Sequence, residues 1–190
     1  MSDRSKELWL FRHGETAWTL TRQHTGHSDI PLTEDGRQAA AALGRRLVGR
    51  KFAMVLTSPL VRASETCRLA GYGDVARPAR DLMEWDYGSD DGRSAADIRK
   101  ERPGWSIWDD GVKGGETITQ VAARAHRALA LADKADGDVA LFAHAHLLRI
   151  LAMCWLGLPP QAARHFELGP ASTSVLGRRD DGAVIRHWNL

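Results

Sequence analysis

Arginines and histidines in this chain stand directly after apolar runs, where ordinary turn residues would be expected. Arg12 and His13 follow "LWLF", Arg62 follows "TSPLV", and His144 follows "LFA", with His146 two residues further on. Both residue types are costly to bury and easy to leave in water, so their recurrence at such boundaries asks for a chemical reason. Guanidinium forks beside imidazoles make an oxyanion site, because Arg offers permanently charged, bidentate donors that match phosphate geometry. An imidazole that is neutral at one nitrogen and held by a hydrogen bond at the other can attack phosphorus. Taken singly, each arginine reads as a solvated cation and each histidine as a hydrogen-bonded structural residue. The cluster argues more strongly than its members.

The surrounding patterns predict how these residues meet. "ELWLF" (7–11), "FAMVLT" (52–57) and "DVALFA" (138–143) are short continuous apolar runs, the mark of strands covered on both faces. A helix is predicted from Thr33 as N-cap to near Gly49, with Glu34 and Asp35 in its first turn, Arg45 and Arg46 late, and Ala40, Leu43 and Leu47 on one face. Ser58 as N-cap and Pro59 as the first helical residue predict a second helix, ended by Gly71 or Gly73. Residues 74–114 are less regular and predict one short strand and a short helix around 94–101. Ile118, Val121, Ala122, Ala125 and Leu129 line one face of a further helix, and "HLLRILAMCWLGL" reads as an apolar helix stopped by Gly157 and Pro159-Pro160. The closing segment alternates around Asp181-Gly182, a hairpin signal.

Strands alternating with helices imply a single α/β domain over residues 1–190. Its expected form is a three-layer α/β/α sandwich, with a mostly parallel central sheet and a C-terminal antiparallel hairpin. Such sheets bind ligands at the carboxyl ends of their strands, which is where Arg12, His13, Arg62 and His144 fall. The helix N-termini at Pro59 and His146 would add N–H donors there, and Gly14 would let backbone approach the His13 ring or a ligand. A leaving alkoxide needs a proton, so a carboxylic acid should face the cluster. "RDLMEWDYGSDDG" offers Asp81, Glu84, Asp86, Asp90 and Asp91; Trp85 gives Glu84 the most apolar neighbour, but spacing alone does not choose among them.

Composition bounds the alternatives. With 43% hydrophobic and 26% charged residues over 190 positions, the chain has globular values, and a net charge of +2 supports no nucleic-acid or membrane-surface partner. Cys67 and Cys154 share no CxxC spacing, which argues against a disulfide framework and a thiolate metal site and fits a reducing compartment. "MSDRSKE" has no apolar leader-like run, and no segment reaches membrane-spanning length, so a cytoplasmic location is expected. His144 and His146 form an H-x-H pair compatible with a metallohydrolase, but no HExxH accompanies them, and neither a metal nor a cofactor is expected. The composition is compatible with a homo-oligomer.

"LFRHGET", "GHSDIPLTEDGRQAA", "TSPLVRASET", "LMEWDYGSDDG", "GGET" and "LFAHAHLLR" together resemble the histidine phosphatase superfamily, in its phosphoglycerate-mutase-like branch. They occur in the family's order from residue 8 to about 149. The resemblance implies that His13 accepts the phosphoryl group, that Arg12, Arg62 and His144 cradle its oxygens, and that Glu84 is the proton donor. It also implies that Thr25-Gly26 contact substrate. Thr19 stands where many mutase relatives have Asn, and Ala145 where Gly is usual. His146 adds an imidazole, as in a subgroup similar to acid phosphatases and sugar-bisphosphate phosphatases. The expected activity is hydrolysis of a small phosphorylated metabolite, sugar phosphate or bisphosphate preferred, through a phosphohistidine.

The nearest rival is a cofactor-dependent phosphoglycerate mutase. The span between Glu84 and His144 is shorter than in such enzymes and lacks their basic insert, for which Arg93, Arg99, Lys100, Arg102 and Lys113 are partial candidates. A non-catalytic phospho-ligand module, or a phosphatase acting on phosphorylated protein, would use the same pocket.

Overall fold

A computed structural model describes residues 6–190. Its centre is a six-stranded sheet of β1 (Leu8–Arg12), β2 (Met54–Thr57), β3 (Ala76–Pro78), β4 (Val139–Ala143), β5 (Thr173–Arg179) and β6 (Gly182–His187), in the order β3-β2-β4-β1-β5-β6. The pairs β1–β4, β2–β4 and β2–β3 are parallel, while β1–β5 and β5–β6 are antiparallel. The mostly parallel sheet closed by an antiparallel hairpin is therefore as expected.

The continuous apolar runs have the cause assigned to them. Successive side chains of a strand point to opposite faces, and here both faces are covered. Leu8, Leu10, Leu56, Val139 and Leu141 pack on the side of α5 (Ile118–Ala132) and α6 (Ala145–Leu156). Phe11, Val55, Ala140 and Phe142 pack on the other side, against α2 (Glu34–Arg46) and α3 (Val61–Leu69). Phe11 stacks on Phe142 at 4.6 Å between centroids, a contact in which each ring's burial contributes about 1.5–3 kcal/mol.

The helices begin and end largely where polar residues can serve their free backbone groups. Thr33 accepts from Gly36 N–H at 3.0 Å and caps α2, and Thr117 with Gln120 forms a capping box on α5. Gly157, at φ +70°, ends α6 in the left-handed conformation that glycine adopts without strain. Two short helices, α1 (Ala17–Leu20) and α4 (Ala95–Glu101), complete the set; α1 was not anticipated, and the helix expected near 94–101 is α4.

Three details differ from expectation. Single turns at Arg80–Leu82 and Gly88–Asp90 interrupt residues 74–114. The hairpin pairs Arg179 with Gly182, so its two-residue turn is Asp180-Asp181 rather than Asp181-Gly182. Finally, α3 starts at Val61 rather than at Pro59, with Leu60, whose side chain cannot accept a hydrogen bond, as its N-cap residue.

Candidate active site

The sheet register sets the histidines side by side. Arg12 lies opposite Ala143, and the next residue, His13, donates its backbone N–H to Ala143 O at 3.0 Å. The His13 and His144 rings stand 5.2 Å apart at the carboxyl edge of the sheet. His13 is almost fully buried, and its Nδ1 lies 2.7 Å from Gly14 O. A carbonyl can only accept, so Nδ1 carries the proton and Nε2 keeps its lone pair. Burial first, then the charges of Arg12 and Arg62, hold the ring well below the ordinary histidine value, so it is neutral at neutral pH. Gly14 serves another end than the one expected: a Cβ there would lie 2.5 Å from Gly36 O, so its bareness lets this loop cross the start of α2.

Arg12 and Arg62 are cations in unlike surroundings. Arg12 donates Nη1–H to Leu168 O, while its Nε is buried with no hydrogen-bond partner among the described residues. Burial, partly countered by Glu84, brings its pKa down to about 10, and it stays charged at neutral pH. Arg62 is fully buried and gives four of its five N–H groups to protein. Its partners are His144 Nδ1 (3.2 Å), Ser28 O (2.9 Å), Thr25 O (3.0 Å) and Gly26 O (2.8 Å).

His144 is likewise spoken for, since its Nε2 donates to Ser58 Oγ at 2.7 Å while Nδ1 accepts from Arg62. Ser58 Oγ thus supports the far side of an imidazole while also accepting from Leu60 N–H at 3.3 Å. Arg62 and His144 sit behind the cavity lining rather than in it. Both are fully buried and bonded to each other, with the His144 ring beside that of His13.

Of the five candidate acids, Glu84 reaches the cavity. Asp81 pairs with Arg127 (2.7 Å), Asp90 with Arg102 (2.5 Å), and Asp86 accepts from Gly88 N–H (2.9 Å). Asp91 accepts from Gly26 N–H (2.8 Å), Ser28 N–H (3.2 Å) and Ser28 Oγ (2.8 Å), and so braces the carbonyls that hold Arg62. Glu84 is itself nearly buried. Oε1 accepts from Trp85 N–H and Leu147 N–H, both at 2.9 Å, and Oε2 from His146 N–H at 3.1 Å. The N-terminus of α6, expected to hold phosphate, instead spends two amides on this carboxylate. The α3 N-terminus makes a similar departure: Val61 N–H donates to Asp29 Oδ1 at 2.7 Å.

The cavity holds about 310 Å³. Arg12, His13 and Glu84 form its floor, with Ala145 and His146 beside them and Thr19 and Thr25 on the facing loop. The Thr19 hydroxyl is committed to Thr16, accepting from its N–H (2.9 Å) and donating to its O (2.8 Å). Gly26 stands outside the lining, where a Cβ would meet Trp85 O at 2.9 Å, so its bareness allows the two segments to pack closely. His146 packs between Trp85, Tyr87 and Trp108, its Nδ1 2.6 Å from Tyr87 Oη, and burial keeps its ring neutral at neutral pH. Sequence reasoning missed Arg22, Gln23, His24 and Tyr87 in the lining. The available signal was the alternation of charged and aromatic types in "RQH" and "EWDY", which is weak without knowledge of where these loops lie.

None of Arg93, Arg99, Lys100, Arg102 and Lys113 lines the cavity. Arg93 pairs with Glu101 (2.6 Å), Lys100 with Asp97 (2.6 Å), and Arg99 Nε donates to Trp105 O (2.9 Å). These are the solvated or structural charges of a helix face and its loop. Among the described residues, no helix is long and apolar enough to cross a membrane.

Comparison with known proteins finds a matching family and several relatives. The family described as histidine phosphatase superfamily (branch 1) matches residues 8–190. An acid phosphatase of Mycobacterium tuberculosis is 36% identical over 181 residues, covering 93% of this chain and 89% of the relative. A sedoheptulose 1,7-bisphosphatase of Saccharomyces cerevisiae is 33% identical over 185 residues, covering 80% and 68%. A Salmonella choleraesuis protein named probable phosphoglycerate mutase GpmB is 30% identical over 193 residues, covering 96% and 89%. A solved structure of a Mycobacterium tuberculosis open reading frame superposes with a TM-score of 0.92 at 34% identity, covering 98% of each chain.

Proposed function

The chain belongs to the histidine phosphatase superfamily and is an enzyme of phosphatase type, and on that premise we propose that it hydrolyses small phosphorylated metabolites through a phosphohistidine on His13. Sugar phosphates and bisphosphates are the preferred substrates. The relative named for sedoheptulose bisphosphate supports that class, as does a 310 Å³ cavity sized for a small molecule.

The observation that carries this reading is the His13 ring. It is buried and neutral, with Nδ1–H held by Gly14 O and the Nε2 lone pair left for attack. In the first step Nε2 bonds to phosphorus, the bond to the leaving oxygen breaks, and the Glu84 carboxyl gives that oxygen its proton. Oε1 already accepts two amide hydrogens and Oε2 one, so we assign the transferable proton to Oε2. In the second step the Glu84 carboxylate takes a proton from water as its oxygen bonds to phosphorus. The phosphorus–nitrogen bond breaks, and phosphate and neutral His13 are restored. Arg12 supplies charge against the phosphoryl oxygens, and Arg62 with His144 positions the wall behind them.

A mutase would use the same two groups but return the phosphoryl group to a second oxygen of the substrate. The pairing of four of the five candidate cations away from the cavity favours hydrolysis. Incubation with 3-phosphoglycerate and with a panel of sugar phosphates, assaying inorganic phosphate and isomer together, tests this. Phosphate release without isomer supports hydrolysis, and isomer formation faster than phosphate release would make the enzyme a mutase.

A further inference from the structure

Besides Arg12 Nε on the floor, the cavity has polar groups without a protein partner among the described residues on one wall, formed by residues 22–24. Arg22 is exposed, lines the cavity, and has no hydrogen-bond or ion-pair partner for its guanidinium among the described residues. His24, two residues on, keeps Nε2 buried without a partner, and burial holds its ring below the ordinary histidine value. Gln23 between them is fully occupied in pinning the wall, its Nε2 donating to Gly92 O at 2.6 Å. His24 N–H to Arg93 O (2.9 Å) and Gly92 N–H to His24 O (2.8 Å) add to that attachment.

Arg22 also has an uncommon backbone, with φ at +56°. The chain needs this shape. Gln23 N–H donates to Trp18 O (2.9 Å) and Arg22 N–H to Thr19 O (3.3 Å), the paired bonds of a helix ending whose next residue must be left-handed. That explains the conformation but not the choice of residue. Glycine fits there without strain, whereas a side chain with a Cβ is disfavoured. A strained position kept at a cavity mouth points to use of the side chain it carries.

We propose that Arg22 determines specificity by binding a second anionic group of the substrate, a phosphate or carboxylate on the leaving portion. This rests on the phosphatase reading above and narrows it to substrates with two anionic groups. Arg12 serves the reacting phosphate on the floor, and Arg22 is the remaining cation of the lining. Because Arg22 is exposed, its attraction is partly screened, so the preference should weaken as ionic strength rises.

The test uses His13→Ala protein, which holds ligands without turnover, and calorimetric affinities for fructose 1,6-bisphosphate and fructose 6-phosphate. The bisphosphate is expected to bind more tightly, and adding Arg22→Gly to lower the ratio of the two affinities about tenfold. Arg22→Lys, which keeps a charge, should hold the ratio within about threefold of the parent. Glycine suits φ +56°, so the decisive variant does not endanger the fold. An unchanged ratio in Arg22→Gly, or no bisphosphate preference in the parent, overturns the proposal. Phosphate release by the unmodified enzyme from p-nitrophenyl phosphate reports separately on the phosphatase reading; its absence ends that reading while the affinity ratio still decides the role of Arg22.

Discussion

On the floor of the cavity the reacting groups are fixed by protein partners, while Arg12 Nε and His13 Nε2 stay open among the described residues. His13 Nδ1 is held by Gly14 O and both Glu84 oxygens by amides, and just behind them His144 is held by Arg62 and Ser58. On the wall at residues 22–24, by contrast, the Arg22 guanidinium and His24 Nε2 have none among the described residues. The two regions share one cavity but do different work. A reacting site gains from groups fixed before substrate arrives, because no reorganisation is then needed as charge develops. A recognition wall keeps its donors uncommitted until the right ligand supplies partners, and rejects ligands that leave them unpaired.

The sharpest way to break the comparison is at the floor. His13→Ala is expected to reduce kcat by about 10⁴-fold or more, since it removes the group that takes the phosphoryl group. The fold should persist, as judged by circular dichroism. Glu84→Gln keeps an acceptor for the amides but removes the proton, and kcat on a sugar phosphate should fall about 10²–10⁴-fold. The loss should be much smaller on p-nitrophenyl phosphate, whose leaving group needs little protonation. Equal losses on both substrates would remove Glu84 as the acid.

Behind the floor, Asp91 and Asp81 sharpen the contrast between a braced carboxylate and a surface one. Asp91→Ala removes three hydrogen bonds to residues 26–28 and is expected to cost about 2–4 kcal/mol in denaturant unfolding. Asp81→Ala loses a pair with a largely exposed Arg127 and should cost under about 1 kcal/mol.

A smaller and more general effect follows from the neutral rings. His13, His144 and His146 are all held well below 6.5 by burial, so the unfolded chain takes up protons there that the folded chain refuses. Stability should therefore be independent of these groups above about pH 7.5 and fall as pH drops below about 6.5. Once the unfolded histidines are protonated, and until the folded values are reached, each contributes a slope of about 1.4 kcal/mol per pH unit. Urea unfolding across pH 5 to 8 measures this, and replacing His146 with Phe should reduce the slope by one proton. Without that reduction, the buried ring is not neutral in the fold.

Much of the floor was legible because it is local. Arg12-His13 and His144 follow directly from the ends of β1 and β4, and parallel pairing of two buried strands brings those ends together. The apolar runs, the Thr33 cap and the Gly157 stop could be read for the same reason. Partners drawn from distant loops could not be read. Ser58-Pro59 has the form of a helix start, yet the Ser58 hydroxyl is claimed by His144, 86 residues away. The α6 N-terminus resembles a phosphate site until Glu84, 62 residues earlier, takes its amides. Spacing within "RDLMEWDYGSDDG" likewise did not separate Glu84 from Asp91, because the difference lies in which loop each meets. Arg22 and His24 were invisible for the opposite reason: their importance comes from partners that they lack.

The most direct test of the account is to trap the covalent intermediate. Wild-type protein mixed with a sugar phosphate, quenched within its first turnovers in alkali and digested, should carry one phosphoryl group on the peptide containing His13. The label should vanish in His13→Ala and accumulate when Glu84→Gln is given p-nitrophenyl phosphate. A phosphoryl group found on another residue, or full turnover by His13→Ala with no phosphoenzyme at all, would contradict the account.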